Sequence, residues 1–282
     1  MEGITLTEKS SVIKSFNNNV VLVSYKGMET ILFAKGIGFG KRMGDVIPEN
    51  TVVEKIFNLQ DKQNAKNFTT IIQDVDNSIV GLIEEVIYFI SYELGEELSE
   101  NIHVSLTDHI SFAIKRLQRG EAIENPFLIE TETLYKDEYS IAKKAAEKLE
   151  KAISIKIPEG EIGFIALYIH SARHKGTLSN TLQYNYIFKD VLNLIEKDMH
   201  IKVDKKSLDY ARFITHVRFT IERITKEIPL NNDLLYIIKE KYPVAFNTAF
   251  KVGKLIERAL KKAVSEDEVA YLAMHLERFK RN

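Results

Sequence analysis

The first sixty residues alternate short apolar runs with turn-forming residues. The runs are rich in β-branched and aromatic side chains, and asparagine or glycine separates them. This pattern predicts a small antiparallel β domain. About fifty residues bury too little surface for an independent core, so we expect a homodimer that pairs two such sheets. The four predicted strands are VIKSF, VVLVSY, TILFA and VVEKIF, between residues 12 and 57.

From about residue 65 the pattern changes to helical periodicity. Apolar residues recur at steps of three and four with acidic residues between them, as in FTTIIQDVDNSIVGLIEEVIYFISYEL. Proline is tolerated between helical segments but not inside them, and four prolines fall at such positions. The pattern therefore predicts about 215 residues of all-α structure. The four prolines are Pro126, Pro158, Pro229 and Pro243.

The helical part contains an internal repeat. LTDHISFAIKR (106–116) aligns with FITHVRFTIER (213–223) at an offset of 107 residues. The same offset aligns 135–150 with 242–257, and EIGFIALY with EVAYLAMH, without a gap. We infer two copies of one helical-bundle module. The predicted domains are 1–64, 65–178 and 179–282.

Each copy places a histidine on a helix face with an arginine seven residues later. His109 precedes Arg116 in the first copy, and His216 precedes Arg223 in the second. A single case is explained by a half-buried structural histidine, but its repetition favours a functional one. The two phenylalanines at 213 and 219 fall on the same predicted stripe as His216.

Known catalytic motifs are absent from the sequence. There is no cysteine, no HExxH set, no GxSxG elbow and no Walker loop, so we predict no metal, no cofactor and no enzyme. GIGFGK lies between strands without a following helix, which a phosphate-binding loop needs. An imidazole near an arginine remains, and this pair suits acceptance of a phosphoryl group.

Charge and hydropathy bear on the binding partner and on the cellular location. The net charge is −1, yet residues 11–60 hold six Lys/Arg against four acidic residues, which points to this segment if any part binds nucleic acid. No apolar run approaches the ~20 residues that span a bilayer, and the N-terminus lacks the features of a secretory signal. We expect a cytoplasmic protein without membrane insertion.

The motifs together resemble a known family. NNNVVLVSYKGMETILFAKGIGFGKRMGDVI, the two DH/TH…F…R modules and the closing EVAYLAMHLERF are similar to BglG/SacY/LicT-type transcription antiterminators over about residues 12–279. AKGIGFGK and ENPFLIETETLYKDEYSIA resemble the branch that serves the glucose phosphotransferase operon. The order of domains is also that family's order: an RNA-binding co-antiterminator domain, then two phosphotransferase-system (PTS) regulation domains.

The resemblance implies a mechanism. The dimeric β domain would bind an mRNA antiterminator hairpin that overlaps a terminator. Histidines of the regulation domains would be phosphorylated by the sugar-specific permease, here the glucose EII, which inhibits, and by the phosphocarrier HPr. The alternatives are a DNA-binding activator with the same regulation domains, and a protein that passes phosphate onward.

The resemblance also implies the RNA-facing residues. Asparagine can read base edges, phenylalanine can stack on an unpaired base, and lysine or arginine can contact phosphates. Structural readings stay open: the asparagines and glycines could only shape turns, the phenylalanine could be core, and the cations could be solvated. The candidates are Lys14, Asn17, Asn19, Gly36, Phe39, Lys41 and Arg42.

The family's phosphorylation sites map onto His109, His216 and His275. The fourth position is occupied by Tyr168, which this histidine system does not phosphorylate, so the two modules are expected to differ. His170 lies two residues further on and His103 lies before His109; both are possible secondary sites. We expect His109 to be the inhibitory site.

Overall fold

The computed structural model describes residues 3–176 and 178–280. These residues form two compact units. The first comprises Met1–Pro126 with Asp137–Leu178, and the second comprises Phe127–Lys136 with Ser179–Asn282. In the described part of the chain, no helix is long and apolar enough to cross a membrane.

The N-terminal part of the first unit is an antiparallel β domain, as predicted. Five strands form one sheet in the order β5-β2-β3-β4-β7, and two more form a separate ribbon, β1-β6. Four strands were predicted; the structure adds the two-residue strands β1 and β5, and divides the last predicted strand at Glu54. The strands are β1 Ile4–Thr5, β2 Ser10–Ser15, β3 Val20–Tyr25, β4 Met28–Phe33, β5 Val46–Ile47, β6 Val52–Val53 and β7 Lys55–Asn58.

A two-residue turn sets the register of the central hairpin. Lys26 and Gly27 both have positive φ, 52° and 75°, and Tyr25 pairs with Met28. Positive φ at both central positions gives the turn a twist that matches the flanking strands. One face of this sheet buries an apolar cluster that includes Leu6, Val12, Val21, Val23, Leu32 and Ile47.

Eleven helices follow in the described residues. Side chains cap several of them. Asp61 accepts hydrogen bonds from free backbone N–H groups at the start of α1. Ser207 and Ser265 make the same kind of contact at the starts of α8 and α11. The helices are α1 Lys62–Asp74, α2 Asn77–Leu94, α3 Asn101–Gln118, α4 Leu128–Leu134, α5 Lys136–Ile153, α6 Glu159–Arg173, α7 Leu178–Met199, α8 Leu208–Lys226, α9 Leu235–Lys241, α10 Pro243–Leu260 and α11 Glu266–Phe279.

The helix boundaries reproduce the sequence repeat. Helices α3, α4, α5 and α6 begin 107 residues before α8, α9, α10 and α11, respectively. Helix α4 nevertheless belongs to the second unit and packs against α8. There the buried carboxylate of Glu130 accepts hydrogen bonds from the Tyr210 hydroxyl at 2.6 Å and from Lys205 Nζ at 2.8 Å.

Within the first unit, the β domain packs on the first helical module through aromatic contacts. Phe33 stacks on Tyr88 of α2 with ring centroids 4.1 Å apart, and the Phe16 and Phe68 rings meet edge to face. Asn64 of α1 and the backbone N–H groups of Gln60 and Asp61 bind the Glu100 carboxylate. These contacts fix the β domain against α1 and α2 in this structure.

Candidate functional sites

In the second module the two predicted histidines face each other. His216 of α8 and His275 of α11 have ring centroids 4.6 Å apart, and the Tyr271 ring lies 5.5 Å from His216. Among the described residues, His216 Nε2 and His275 Nδ1 have no hydrogen-bond partner. Two ring nitrogens are therefore not engaged by the protein.

A buried carboxylate organises the helix face below these histidines. Glu268 of α11 accepts from Arg223 Nε at 2.5 Å, from Arg223 Nη2 at 2.8 Å and from Thr220 Oγ1 at 2.7 Å. The bidentate guanidinium contact is the strongest form of this ion pair and leaves little rotational freedom. It joins α8 to α11 about two turns from His216.

The surroundings keep both imidazoles neutral. Burial lowers the pKa of His216, and the nearby Arg223 guanidinium lowers it further. Burial and the facing His216 lower the pKa of His275 to about 4. A neutral imidazole has a free lone pair, which is the form that attacks a phosphoryl group.

Cations also surround His275. Arg212 and Arg278 both act electrostatically on it, and the Asp209 carboxylate lies 3.7 Å and 4.0 Å from their Nη1 atoms. A phosphate on His275 would bring its negative charge next to two guanidinium groups that are held only loosely by one carboxylate.

The first module has the same framework with different chemistry around the histidine. Arg116 Nη2 binds the buried Glu161 carboxylate, as Arg223 binds Glu268. His109 Nε2 lies 3.1 Å from Glu161 Oε2, at an angle that does not suit a hydrogen bond. The Tyr168 ring takes the place of the second histidine, 4.9 Å from His109.

Tyr168 cannot act as an anion or as a base here. Burial and the neighbouring carboxylates of Asp108 and Glu161 raise the pKa of its phenol to about 12. At the positions of Arg212 and Arg278 the first module carries Ser105 and Ser171. The first site is thus a single histidine near carboxylates, and the second is a histidine pair near guanidinium groups.

The two secondary histidines lie elsewhere. His103 is 1 % exposed; its Nδ1 lies 2.6 Å from the buried Glu84 carboxylate, and its ring packs on Phe57. Its burial favours a structural role over phosphorylation. His170 is half-buried at the end of α6, with Nδ1 3.1 Å from Glu138 Oε1. It does not join the His109 site.

His170 is part of an ion cluster. Ligand atoms of Glu138, His170 and His174 lie within 4.8 Å of one another, a spacing that a metal ion could use. However, Arg173 Nη1 donates to the same Glu138 oxygen at 2.9 Å, and Arg173 also binds Glu96 in a bidentate manner. A guanidinium already neutralises the carboxylate. Burial raises the pKa of Glu138, but the hydrogen bond with His170 and the charge of Arg173 hold it at about 2.

The predicted RNA-facing loop presents its side chains to solvent. Phe39 is 75 % exposed, which excludes the core reading, and Arg42 is also exposed. Gly36 has a φ of +77°, which favours glycine, and its N–H donates to Asn19 Oδ1. Lys41 Nζ donates to the Val46 carbonyl at 3.3 Å.

The other three candidates contact the helical module. Lys14 Nζ donates to the Ile72 carbonyl at 2.5 Å, and the side-chain amides of Asn17 and Asn19 both donate to Glu85 Oε1 at 3.0 Å. Asn17 Oδ1 also accepts hydrogen bonds from the backbone N–H groups of Asn19 and Val20, so Asn17 stabilises the turn as well.

Sequence reasoning missed the carboxylate partners of both arginines. The signal was present, because the constant offset aligns Glu161 with Glu268 at the first position of the last matched stretch. The predicted apolar stripe of FITHVRFTIER holds only in part. Phe213 is fully buried, whereas Phe219 is 43 % exposed, because the ring lies on the outer side of α8, where Arg218 packs over it.

Comparisons with known proteins agree with this arrangement. A profile described as the CAT RNA binding domain matches residues 11–66, and one described as the PRD domain matches 84–172 and again 189–279. Protein GlcT of Staphylococcus aureus (strain JH9) is 38 % identical over 271 residues, which cover 95 % of this chain and 96 % of that protein. The chain belongs to the BglG/SacY-type transcription antiterminators. It is an RNA-binding antiterminator with two PRD regulation domains.

Two further relatives support the assignment to this antiterminator family. Protein GlcT of Staphylococcus haemolyticus (strain JCSC1435) is 36 % identical over 271 residues, 95 % of each chain. A solved structure titled "Crystal structure of GlcT CAT-PRDI" matches with a TM-score of 0.51 and 46 % identity, and covers 58 % of this chain and 98 % of that one. The predicted β domain followed by helical modules is confirmed.

Proposed function

We propose that this antiterminator binds, as a homodimer, a hairpin in nascent mRNA that overlaps a terminator, and that the operon encodes glucose uptake. Its relatives named GlcT support this branch of the family. RNA would stack on the exposed Phe39 and contact the cations of the same loop. Exposed Val46 on the edge strand β5 is a candidate dimer contact.

We further propose that the PTS controls it by phosphorylating His109, His216 and His275. The observation that carries this proposal is the pair of neutral, facing imidazoles, with His216 Nε2 and His275 Nδ1 unbonded to described residues. Metal binding would place other ligands around these nitrogens, and a purely structural histidine would be hydrogen-bonded. Neither is found at this site among the described residues.

The different surroundings support different roles for the two modules. A phosphate on His109 would lie near the Glu161 and Asp108 carboxylates, so its repulsion would disturb the first unit. A phosphate on His275 would meet Arg212 and Arg278, which can stabilise it. The permease phosphate on His109 is thus the inhibitory one, and HPr is the proposed donor to the second module.

The experiment is a phosphohistidine map of the full chain by mass spectrometry, with the general phosphotransferase enzymes alone and then with the glucose permease added. The proposal predicts phosphate on His109 only when the permease is present, and on His216 or His275 with HPr alone. Phosphate confined to His103, His170 or His174 would contradict it. A mobility shift with hairpin RNA against the same sequence as duplex DNA separates this function from a DNA-binding activator.

A further inference from the structure

One edge of the β domain is occupied by the first helical module. Asn17 and Asn19 lie in the turn between β2 and β3, and both side-chain amides donate to a single oxygen, Glu85 Oε1, at 3.0 Å. Glu85 lies on α2, 66 and 68 residues away in sequence. The two amides that are proposed to read RNA are therefore bound to a carboxylate of the same chain.

A third proposed RNA contact is engaged in the same way. Lys14 Nζ donates to the Ile72 carbonyl at the end of α1, at 2.5 Å. By contrast, Phe39 and Arg42 remain exposed. The β domain thus presents part of its RNA surface to solvent and has the other part covered by α1 and α2.

At Asn17 the helix lies too close to admit a nucleotide. A Cβ added at Gly81 of α2 would lie 2.5 Å from Asn17 Nδ2 and 3.0 Å from Asn17 Cβ. The helix backbone therefore packs directly on the asparagine side chain. A phosphate at this edge would also meet the Glu85 carboxylate at close range, and like charges repel.

We propose that Glu85 is an autoinhibitory latch: RNA and Glu85 compete for the Asn17 and Asn19 amides, and the antiterminator binds its hairpin only after α2 has moved away from this edge. This inference rests on the proposed RNA-binding role of the β domain. The population of the open state then sets the apparent affinity, because only open molecules can bind.

Two substitutions open the latch by different physical means without touching a proposed RNA contact. Glu85→Ala removes the acceptor and the negative charge. Gly81→Ala keeps both but inserts a methyl group where Asn17 packs, and alanine suits the interior of a helix. Glu93→Gln is the matched control, since it removes a charge from the same helix at a site paired with Lys144.

The test measures binding of a fluorescent hairpin RNA, taken from the leader of the glucose permease operon, to the full chain. Circular dichroism confirms that each variant is folded. The latch predicts that Glu85→Ala and Gly81→Ala both bind about tenfold more tightly than the parent protein, whereas Glu93→Gln is unchanged. Equal affinity in all four proteins would overturn the latch and leave the proposed RNA binding intact. No binding by any of them would contradict the proposed function itself, and the latch with it.

Discussion

His216 and His275 face each other across α8 and α11 with ring centroids 4.6 Å apart, and the same place in the first module holds His109 and Tyr168, 4.9 Å apart. The geometry of the pair is thus retained while its chemistry changes. The second pair offers two imidazoles, whereas the first offers one imidazole and one phenol. The two modules therefore present unequal sites on one framework.

The histidine pair predicts an unusual titration. Since the pKa of His275 is lowered from 6.5 to about 4, an NMR titration of the ring protons should show it neutral throughout the physiological range. The unfolded chain takes up this proton near pH 6.5, so neutral His275 stabilises the fold fully above that pH. This stability is lost progressively as the pH falls from about 6.5 to 4.

His275→Gln should make the unfolding midpoint fall less steeply between about pH 6.5 and pH 4, because glutamine does not titrate. His200→Gln, at an exposed histidine outside the site, serves as the control and should retain the parent profile. A His275 ring that titrates at pH 6 or above would contradict the proposed neutral pair.

The arginine–glutamate pairs predict large losses of stability. Glu161→Gln and Glu268→Gln each leave a guanidinium in a mostly buried position without its carboxylate. Each should lower the free energy of unfolding by about 3 kcal/mol in urea denaturation. Glu222→Gln removes an exposed i,i+4 pair with Lys226 and should change little. Equal effects at the buried and exposed pairs would contradict this account of how the helices are locked.

Because the Phe39 ring is exposed, its removal should weaken RNA binding without lowering the stability of the fold. If Phe39 stacks on an unpaired base, Phe39→Ala should cost about 1–3 kcal/mol of binding and leave the unfolding midpoint unchanged. Met43→Ala removes an equally exposed apolar side chain from the same loop and is the matched control. Similar losses in both variants would indicate a general apolar contact in place of base stacking.

The sequence predicts the elements whose patterns are local. VVLVSY was predicted as a strand and is β3 with the same bounds, Val20–Tyr25. The constant offset of 107 residues predicted two modules, and four pairs of helix starts reproduce it. In contrast, β5 depends on the pairing of Val46 and Ile47 with Ser11 and Ser10. A strand of two residues is too short to show an alternating pattern, so the sequence did not predict it.

The sequence predicted which residues could form the candidate site but not the contacts that those residues make. The sequence named His109, His216 and His275 as candidates, but it gave no sign that Glu85 binds two asparagines, because that contact joins positions more than sixty residues apart. It also placed His103 among possible secondary sites, although the ring is buried against Glu84. Burial and long-range pairing depend on tertiary packing, which periodicity does not encode.

The inhibitory role that we propose for His109 gives a further prediction. His109→Ala should produce antitermination in cells without glucose, because the permease can no longer place a repulsive phosphate beside Glu161. A reporter gene behind the terminator measures this outcome. His174→Gln, a substitution at a histidine of the same module but in the Glu138 cluster, should keep glucose dependence. Persistent repression in the His109 variant would count against the assignment.

The most direct test of the account is transcription through the leader terminator in a purified system with the full-length protein. The account predicts that the unphosphorylated protein increases readthrough, that phosphorylation by the glucose permease abolishes the increase, and that His109→Ala maintains it under the same conditions. A protein that leaves readthrough unchanged in every state, or a His109 variant that is inhibited as strongly as the parent, would contradict it.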